Sequence, residues 1–236
     1  MTEQTWLTCT NPHDMLFYLG DRASGRKLRL FAVAYWRRLS QRWKLDYGRA
    51  EVEQAQRYAD GLTDERHLAF AHAAAEGMLL RSPSDIFRES GYLVGIAYAA
   101  THADPGLGAM EAVVNAPWAC EGPTSVSHDL GLLTPLRRVW NSLKEVGAGM
   151  RGRGAEHRAQ ANLLRHIFGN PFHTHTALHL STTIRQLSEA VYEGEDAVFA
   201  LRDALIEAAC SELADHFEEA RHPRGCWALD LLLGKQ

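Results

Sequence analysis

Apolar side chains in this chain recur at intervals of three and four residues. The clearest case is Leu28, Phe31, Ala32, Tyr35, Trp36 and Leu39. Only an α-helix gathers residues at that spacing onto one stripe, so the period dictates helices that bury one face. Runs of alternating β-branched residues are few, and no hairpin dipeptide stands between two such runs, so strands are not expected. The sequence predicts an all-α fold, a multi-helix bundle of about ten helices. Helix pairs of about 35–40 residues also leave a solenoid-like stacking open, although no shared repeat motif is visible.

The ends of several helices are legible. Asn11-Pro12-His13-Asp14 reads as an N-cap, a proline at the first helical position and an acid in the first turn. Ser24 caps the helix carrying the Leu28–Leu39 stripe. Further helices are expected around Val52–Leu62, from Thr63-Asp64-Glu65 to Leu80, from Ser84-Asp85 to Thr101, and from Asp104-Pro105 to a stop before Pro117. Residues 117–127 hold two prolines, a glycine and three Ser/Thr and read as a loop. A helix over 127–146 follows, kinked or started late by Pro135. Later helices are expected over 155–168, 182–193, 196–209, 211–221 and 226–233, the first stopped by Gly169-Asn170-Pro171.

Residues 147–154, Gly-Ala-Gly-Met-Arg-Gly-Arg-Gly, form the best linker in the chain. They divide it into an N-terminal helical bundle, 1–146, and a C-terminal helical subdomain, 155–236, which also fit one packed domain. Gly147-x-Gly149-x-x-Gly152 has the form of a dinucleotide fingerprint, but that motif needs a preceding strand, and here a helix precedes it. The flexible helix–helix linker is the plainer reading, with Arg151 and Arg153 left for phosphate or nucleic-acid contact.

Charge is strongly segregated, although the net charge is only −4. All eight basic residues of the first 44 lie between Arg22 and Lys44, with no acid among them. Between Glu189 and Asp230 eleven acids face only Arg202, Arg221 and Arg224. Such a layout lets the two ends attract each other or steers partners of opposite sign. A generally basic nucleic-acid coat is excluded. No stretch approaches eighteen apolar residues, so no membrane partner is expected. The first twenty residues lack a basic and then apolar leader pattern, and four scattered cysteines (Cys9, Cys120, Cys210, Cys226) do not make a disulfide framework. A cytoplasmic home is expected.

Twelve histidines are many for 236 residues, and they open two metal readings. His173, His175 and His179, with His166 upstream, would present imidazoles able to hold a divalent metal and leave a position for water. The intervening glutamate of the helical protease motif is absent, and an exposed histidine-rich loop explains the same residues. Cys210, His216, His222 and Cys226, spaced C-x5-H-x5-H-x3-C, have the residue types of a tetrahedral zinc site. The spacing is not that of the common zinc knuckles, and buried free cysteine packing as a small apolar residue is the alternative. No cofactor is expected, with zinc or another divalent metal the alternative these residues would suit.

The basic segment Arg22–Lys44, interleaved with Phe31, Tyr35, Trp36 and Trp43, is a third candidate. Arg29, Arg37, Arg38, Arg42 and Lys44 would follow a phosphate backbone or a partner while the rings stack on bases. The rings have helical spacing, however, and equally form a core face with the arginines solvated or paired to acids. No nucleophile elbow, P-loop, H-E-x-x-H or kinase set is present. Glu218-Glu219 reads as a solvated helix face, and Asp85 and Asp104 as caps.

Blocks at both ends carry a resemblance. They are Trp6-Leu-Thr-Cys-Thr-Asn-Pro, Arg26-Lys-Leu-Arg-Leu-Phe-Ala, Arg37-Arg38 and Tyr58-Ala-Asp-Gly, then Leu164-Arg-His-Ile-Phe-Gly-Asn-Pro-Phe and Arg224-Gly-Cys-Trp-Ala-Leu-Asp-Leu-Leu-Leu-Gly-Lys. Together they resemble an uncharacterised paralogous protein family multiplied in planctomycete bacteria. The family pattern has cysteines just before the paired arginines, where this chain has Val33, Ala34, Tyr35 and Trp36. It has another after the late histidine, where this chain has Phe217. The resemblance implies a cytoplasmic bacterial interaction module and no particular catalytic residue.

The leading functional expectation is a non-enzymatic helical interaction or adaptor protein with a protein or peptide partner. The alternatives are a metal-dependent enzyme built on the His166–His179 cluster and a nucleic-acid-binding accessory factor acting through Arg22–Lys44.

Overall fold

The computed structural model describes residues 1–81, 89–115, 150–173, 180–219 and 221–235, except the side chains of 114, 115 and 150–153. The expected loop at 117–127, the helix over 127–146, the Ser84-Asp85 cap, and His175 and His179 lie outside the described residues. Among the described residues there are twelve α-helices, one 3-10 turn and no strand, and the all-α multi-helix bundle stands.

The helices are α1 (Glu3–Thr8), α2 (Pro12–Leu19), α3 (Gly25–Trp43), α4 (Arg49–Ala59), α5 (Glu65–Arg81), α6 (Glu89–Thr101) and α7 (Pro105–Asn115). After the undescribed stretch come α8 (Met150–Phe168), α9 (Thr182–Glu193), α10 (Val198–Glu207), α11 (Ser211–His216) and α12 (Trp227–Leu233). Two expected caps form: Asn11 Oδ1 accepts from the His13 amide and Ser24 Oγ from the Lys27 amide. A third cap, not singled out in the sequence, is Ser181, whose Oγ accepts from the Ile184 amide. Each satisfies a first-turn donor with no partner inside its helix.

α3 is the centre. It packs against α4, α6, α7 and α8. Eleven of its nineteen residues are therefore buried, more than one amphipathic stripe would supply. This overturns the expected solvated basic face at one position. Arg29 is only 4 % exposed and donates to the carbonyls of Ala100 and His102, at 2.6 and 2.9 Å. Those carbonyls end α6 and lack partners within it, so a cation is the group they favour. Arg29 is not available to nucleic acid or to another partner.

Of the expected linker, residues 150–154 are described, and they are helical, forming the first turns of α8. That helix lies on α2 and α3 and buries Ala161, Leu164 and Ile167 in one cluster with Trp6, Met15 and Phe31. Trp6 Nε1 donates to the Gly169 carbonyl just past the end of α8. The last four helices share a separate apolar cluster that includes Leu201, Leu205, Phe217 and Leu229. Buried ion pairs tie this cluster to α3 and α4. Arg26 grips Asp230 with two hydrogen bonds of 2.7 and 3.1 Å, and Arg224 donates to Asp60 at 3.0 Å. The basic N-terminal and acidic C-terminal segments thus meet within the molecule.

Candidate metal centre

Four side chains converge where the last turn of α8 meets α11 and the start of α12. They are His166, His216, His222 and Cys226, and one ligand-capable atom from each lies within 4.8 Å of all the others. His166 Nε2 and His222 Nδ1 are 3.1 Å apart, His216 Nε2 and Cys226 Sγ 3.0 Å, and Cys226 Sγ and His222 Nδ1 3.7 Å. Tetrahedral zinc with bonds of about 2.0–2.1 Å to nitrogen and about 2.3 Å to sulfur places its donors roughly 3.3–3.7 Å apart. Three of the donor pairs fall near that spacing, and the whole set spans no more than 4.8 Å.

Local structure fixes each donor. α8 ends at Gly169, whose φ of +68° only glycine adopts freely, and where a Cβ would stand 2.9 Å from the Trp227 ring. His166 therefore sits in the last turn, beside Trp227. His216 is the final residue of α11. The chain then turns, and the His222-Pro-Arg-Gly-Cys226 loop leads into α12 with Cys226 at its N-cap. Gly225 has φ +85°, and a Cβ there would lie 2.9 Å from Leu30 of α3. That glycine lets the loop press against α3 and bring His222 and Cys226 to one side.

The environment keeps the donors neutral. Burial, then the neighbouring His222, lowers the His166 pKa to about 4. Burial, then His166 and His222, lowers that of His216 to about 3. Burial also lowers His222, although the Glu219 carbonyl works against it. Burial pushes the Cys226 thiol up to about 12, opposed by the first-turn amides of α12. The walls are partly aromatic, with Trp227 5.0 Å from the His216 ring and Phe217 4.6 Å from that of His222. At neutral pH three uncharged imidazoles thus offer lone pairs, while a thiol needs a cation beside it to ionise.

Outer contacts orient the rings. His222 Nε2–H donates to the Glu219 carbonyl at 2.7 Å, leaving Nδ1 as the free lone pair that faces the cluster. His166 Nδ1 looks toward the Glu219 carboxylate at 3.7 Å while Nε2 faces inward. A ligating histidine ordinarily directs its other nitrogen to a carbonyl or carboxylate in this way. Thiolate and imidazole donors in a tetrahedral set suit zinc, and carboxylate-preferring magnesium or calcium poorly. The three imidazoles also form part of the wall of an open cavity of about 1140 Å³ between α3, α8 and the C-terminal helices.

The structure draws these four residues from both sets suggested by the sequence. His173 is elsewhere, with Nε2 2.8 Å from a Glu3 carboxylate oxygen, and His175 and His179 are outside the described residues. Cys210 caps the far end of α11, with its sulfur directed to the Ala208 carbonyl. In the basic set, Arg38 pairs with buried Glu156, and Arg42 lies 3.6 Å from the same carboxylate. Arg37 lines the cavity, and Lys44 is exposed at the left-handed end of α3. Arg151 and Arg153 lie in the first turn of α8 without described side chains. The orienting role of Glu219 was not foreseen; its signal was its place three residues before His222, within reach of a turn.

Comparison with known protein families, with curated proteins and with solved structures finds no match to this chain. No helix among the described residues is long and apolar enough to cross a membrane.

Proposed function

We propose that this protein is a zinc-binding helical scaffold. His166, His216, His222 and Cys226 hold the ion and clamp α11 and α12 to the end of α8. The observation that carries this reading is the convergence of four nitrogen and sulfur donors, from segments up to 60 residues apart, within 4.8 Å. Four protein donors fill a tetrahedral shell, as structural zinc sites do, whereas hydrolytic sites keep one position for water. This favours the non-enzymatic interaction or adaptor role over the metal-dependent enzyme. Nucleic-acid binding through Arg22–Lys44 is less favoured, because Arg29 is buried and Arg38 and Arg42 face Glu156.

The test is metal analysis of tag-free protein. About one zinc per chain is expected, lost in His216→Ala and Cys226→Ser; below about a tenth of an equivalent the reading fails. Cobalt exchanged into the site should show a thiolate-to-metal charge-transfer band that Cys226→Ser removes.

A further inference from the structure

The end of α8 that carries His166 is held by a side chain from outside the donor segments. Lys27, in the first turn of α3, donates from Nζ to the Ile167 carbonyl at 2.8 Å. Ile167 directly follows His166 and is fully buried. Its carbonyl belongs to the last turn of α8, where the helix supplies no amide to it, and a cation is the favoured partner of such a group. The backbone of Lys27 is fixed in turn, because its amide donates to the Ser24 cap at 3.3 Å. The ammonium also stands 3.7 Å from Asp230 of α12. Both Asp230 oxygens already accept from Arg26, at 2.7 and 3.1 Å, so the short bond of Lys27 goes to α8. Lys27 thus lies between the two turns that deliver His166 and Cys226. These are the last turn of α8 and the first of α12, whose Asp230 amide donates to the Cys226 carbonyl. Burial lowers the Lys27 pKa, opposed by Asp230 and Cys226, in keeping with that place.

Three of the four donors, His216, His222 and Cys226, come from one short stretch of chain, and His166 alone arrives from another part of it. The approach of α8 is therefore the contact that the donor stretch cannot secure by itself. Glu219 faces the His166 ring from the exposed side and does not hold the helix. We propose that Lys27 is a positioning residue of the metal centre, whose bond to the Ile167 carbonyl sets the last turn of α8 so that His166 meets His216, His222 and Cys226. The inference rests on the zinc reading and extends it to a residue that does not touch the metal. Without the bond a buried carbonyl loses its partner, and the end of α8 is free to shift away from the other three donors.

The experiment measures the zinc affinity of the full chain by competition with a chromophoric chelator. Lys27→Met keeps the aliphatic stem and loses the donor, and zinc should bind about tenfold more weakly, as when other supporting contacts of a metal site are removed. Lys27→Arg still brings a cation to the helix-end carbonyl and should stay within about threefold of the wild type. A general loss of stability would also weaken binding, so the deciding readout is a double-mutant cycle with His166→Ala. The three remaining donors should still hold zinc in His166→Ala, though less tightly, and adding Lys27→Met there should weaken it no further. Lys27→Gln, one atom too short for the bond, takes the same place in the cycle if the methionine variant folds poorly. Wild-type zinc affinity in Lys27→Met, or the same loss with and without His166, overturns the proposal and leaves the zinc reading standing. A wild-type chain that binds no zinc overturns both.

Discussion

The Nε2 of His216 stands 3.0 Å from the Sγ of Cys226. That distance would suit a thiolate–imidazolium pair of the kind that arms a nucleophilic cysteine. The surroundings oppose it. The thiol is held near 12 and the imidazole near 3, both by burial, so the proton stays on sulfur. A divalent cation among the four donors reverses this, because it favours thiolate and needs the imidazoles neutral. The same burial that disables a catalytic pair therefore prepares a metal site.

Proton release on zinc binding follows from those values. At pH 7 the three imidazoles are already unprotonated, so only the Cys226 thiol has a proton to lose. Calorimetric titration of metal-free protein with zinc in buffers of different ionisation enthalpy should report about one proton released per zinc. In Cys226→Ser the count should fall toward zero, along with the affinity. Release of three or more protons would mean that the imidazoles are cationic in the metal-free protein, contrary to their buried setting.

Stability of the metal-free protein should depend on pH with a definite sign. The folded-state pKa values of His166 and His216 lie near 4 and near 3, below the ordinary 6.5, and that of His222 is also lowered. The unfolded chain therefore binds more protons than the folded one below about pH 6.5. The stabilisation linked to neutral imidazoles is fully present above about 6.5 and is lost as pH falls toward 4. In a chelator the unfolding midpoint should drop steadily across this window, and His216→Phe should flatten the drop. A midpoint that rises on acidification from 6.5 would contradict the assignment.

Much of the fold was legible in the sequence because helix ends are local. Asn11-Pro12, Ser24 and Gly169 each act on amides or carbonyls within a turn, so their meaning does not depend on what packs above them. α1 went unread because its six residues bury only Trp6, too little for a period. The start of α8 was misplaced because glycines at 152 and 154 read as a joint. Glycine costs a helix only about 1 kcal/mol per residue, which the packing of Ala161, Leu164 and Ile167 overrides. The four candidate donors were named residue by residue but in two separate sets. Sequence spacing reports convergence only within a helix or a turn, and His166 is 56 residues from His222. Cys210 shows the converse: it is near His216 in sequence, yet six helical residues carry the two about 9 Å apart at 1.5 Å per residue.

Gly225→Ala should loosen the metal loop. The residue has φ +85°, and its new Cβ would approach Leu30 to 2.9 Å. Left-handed backbone and crowding together cost about 1–3 kcal/mol. The strain falls between two donors, so zinc should leave the variant faster in competition with a chromophoric chelator, while the helical circular dichroism of the whole chain is retained. Gly194→Ala is the control, since Gly194 also has a positive φ but no neighbour within 4 Å of an added Cβ. It should lose stability without losing zinc.

Asp230→Asn tests whether the α3 contact helps to set the metal site. Asp230 is 2 % exposed and bound by two Arg26 hydrogen bonds, with Lys27 Nζ at 3.7 Å. Its amide donates to the Cys226 carbonyl at 2.9 Å, so the ion pair holds the first turn of the helix that Cys226 caps. Removing the carboxylate leaves Arg26 with only the more distant Asp60 at 3.5 Å and takes from Lys27 the acid at 3.7 Å, at a cost of about 3 kcal/mol. For a chain of this length that lowers the unfolding midpoint by roughly 6–12 °C. If Arg26–Asp230 fixes the direction of α12, zinc affinity should fall with the stability, and the loss should persist at temperatures far below the midpoint. Asp203→Asn, an exposed helix position, should change neither. Full zinc affinity in Asp230→Asn, despite the lower midpoint, would mean that the loop from His222 to Cys226 positions its donors without help from α3.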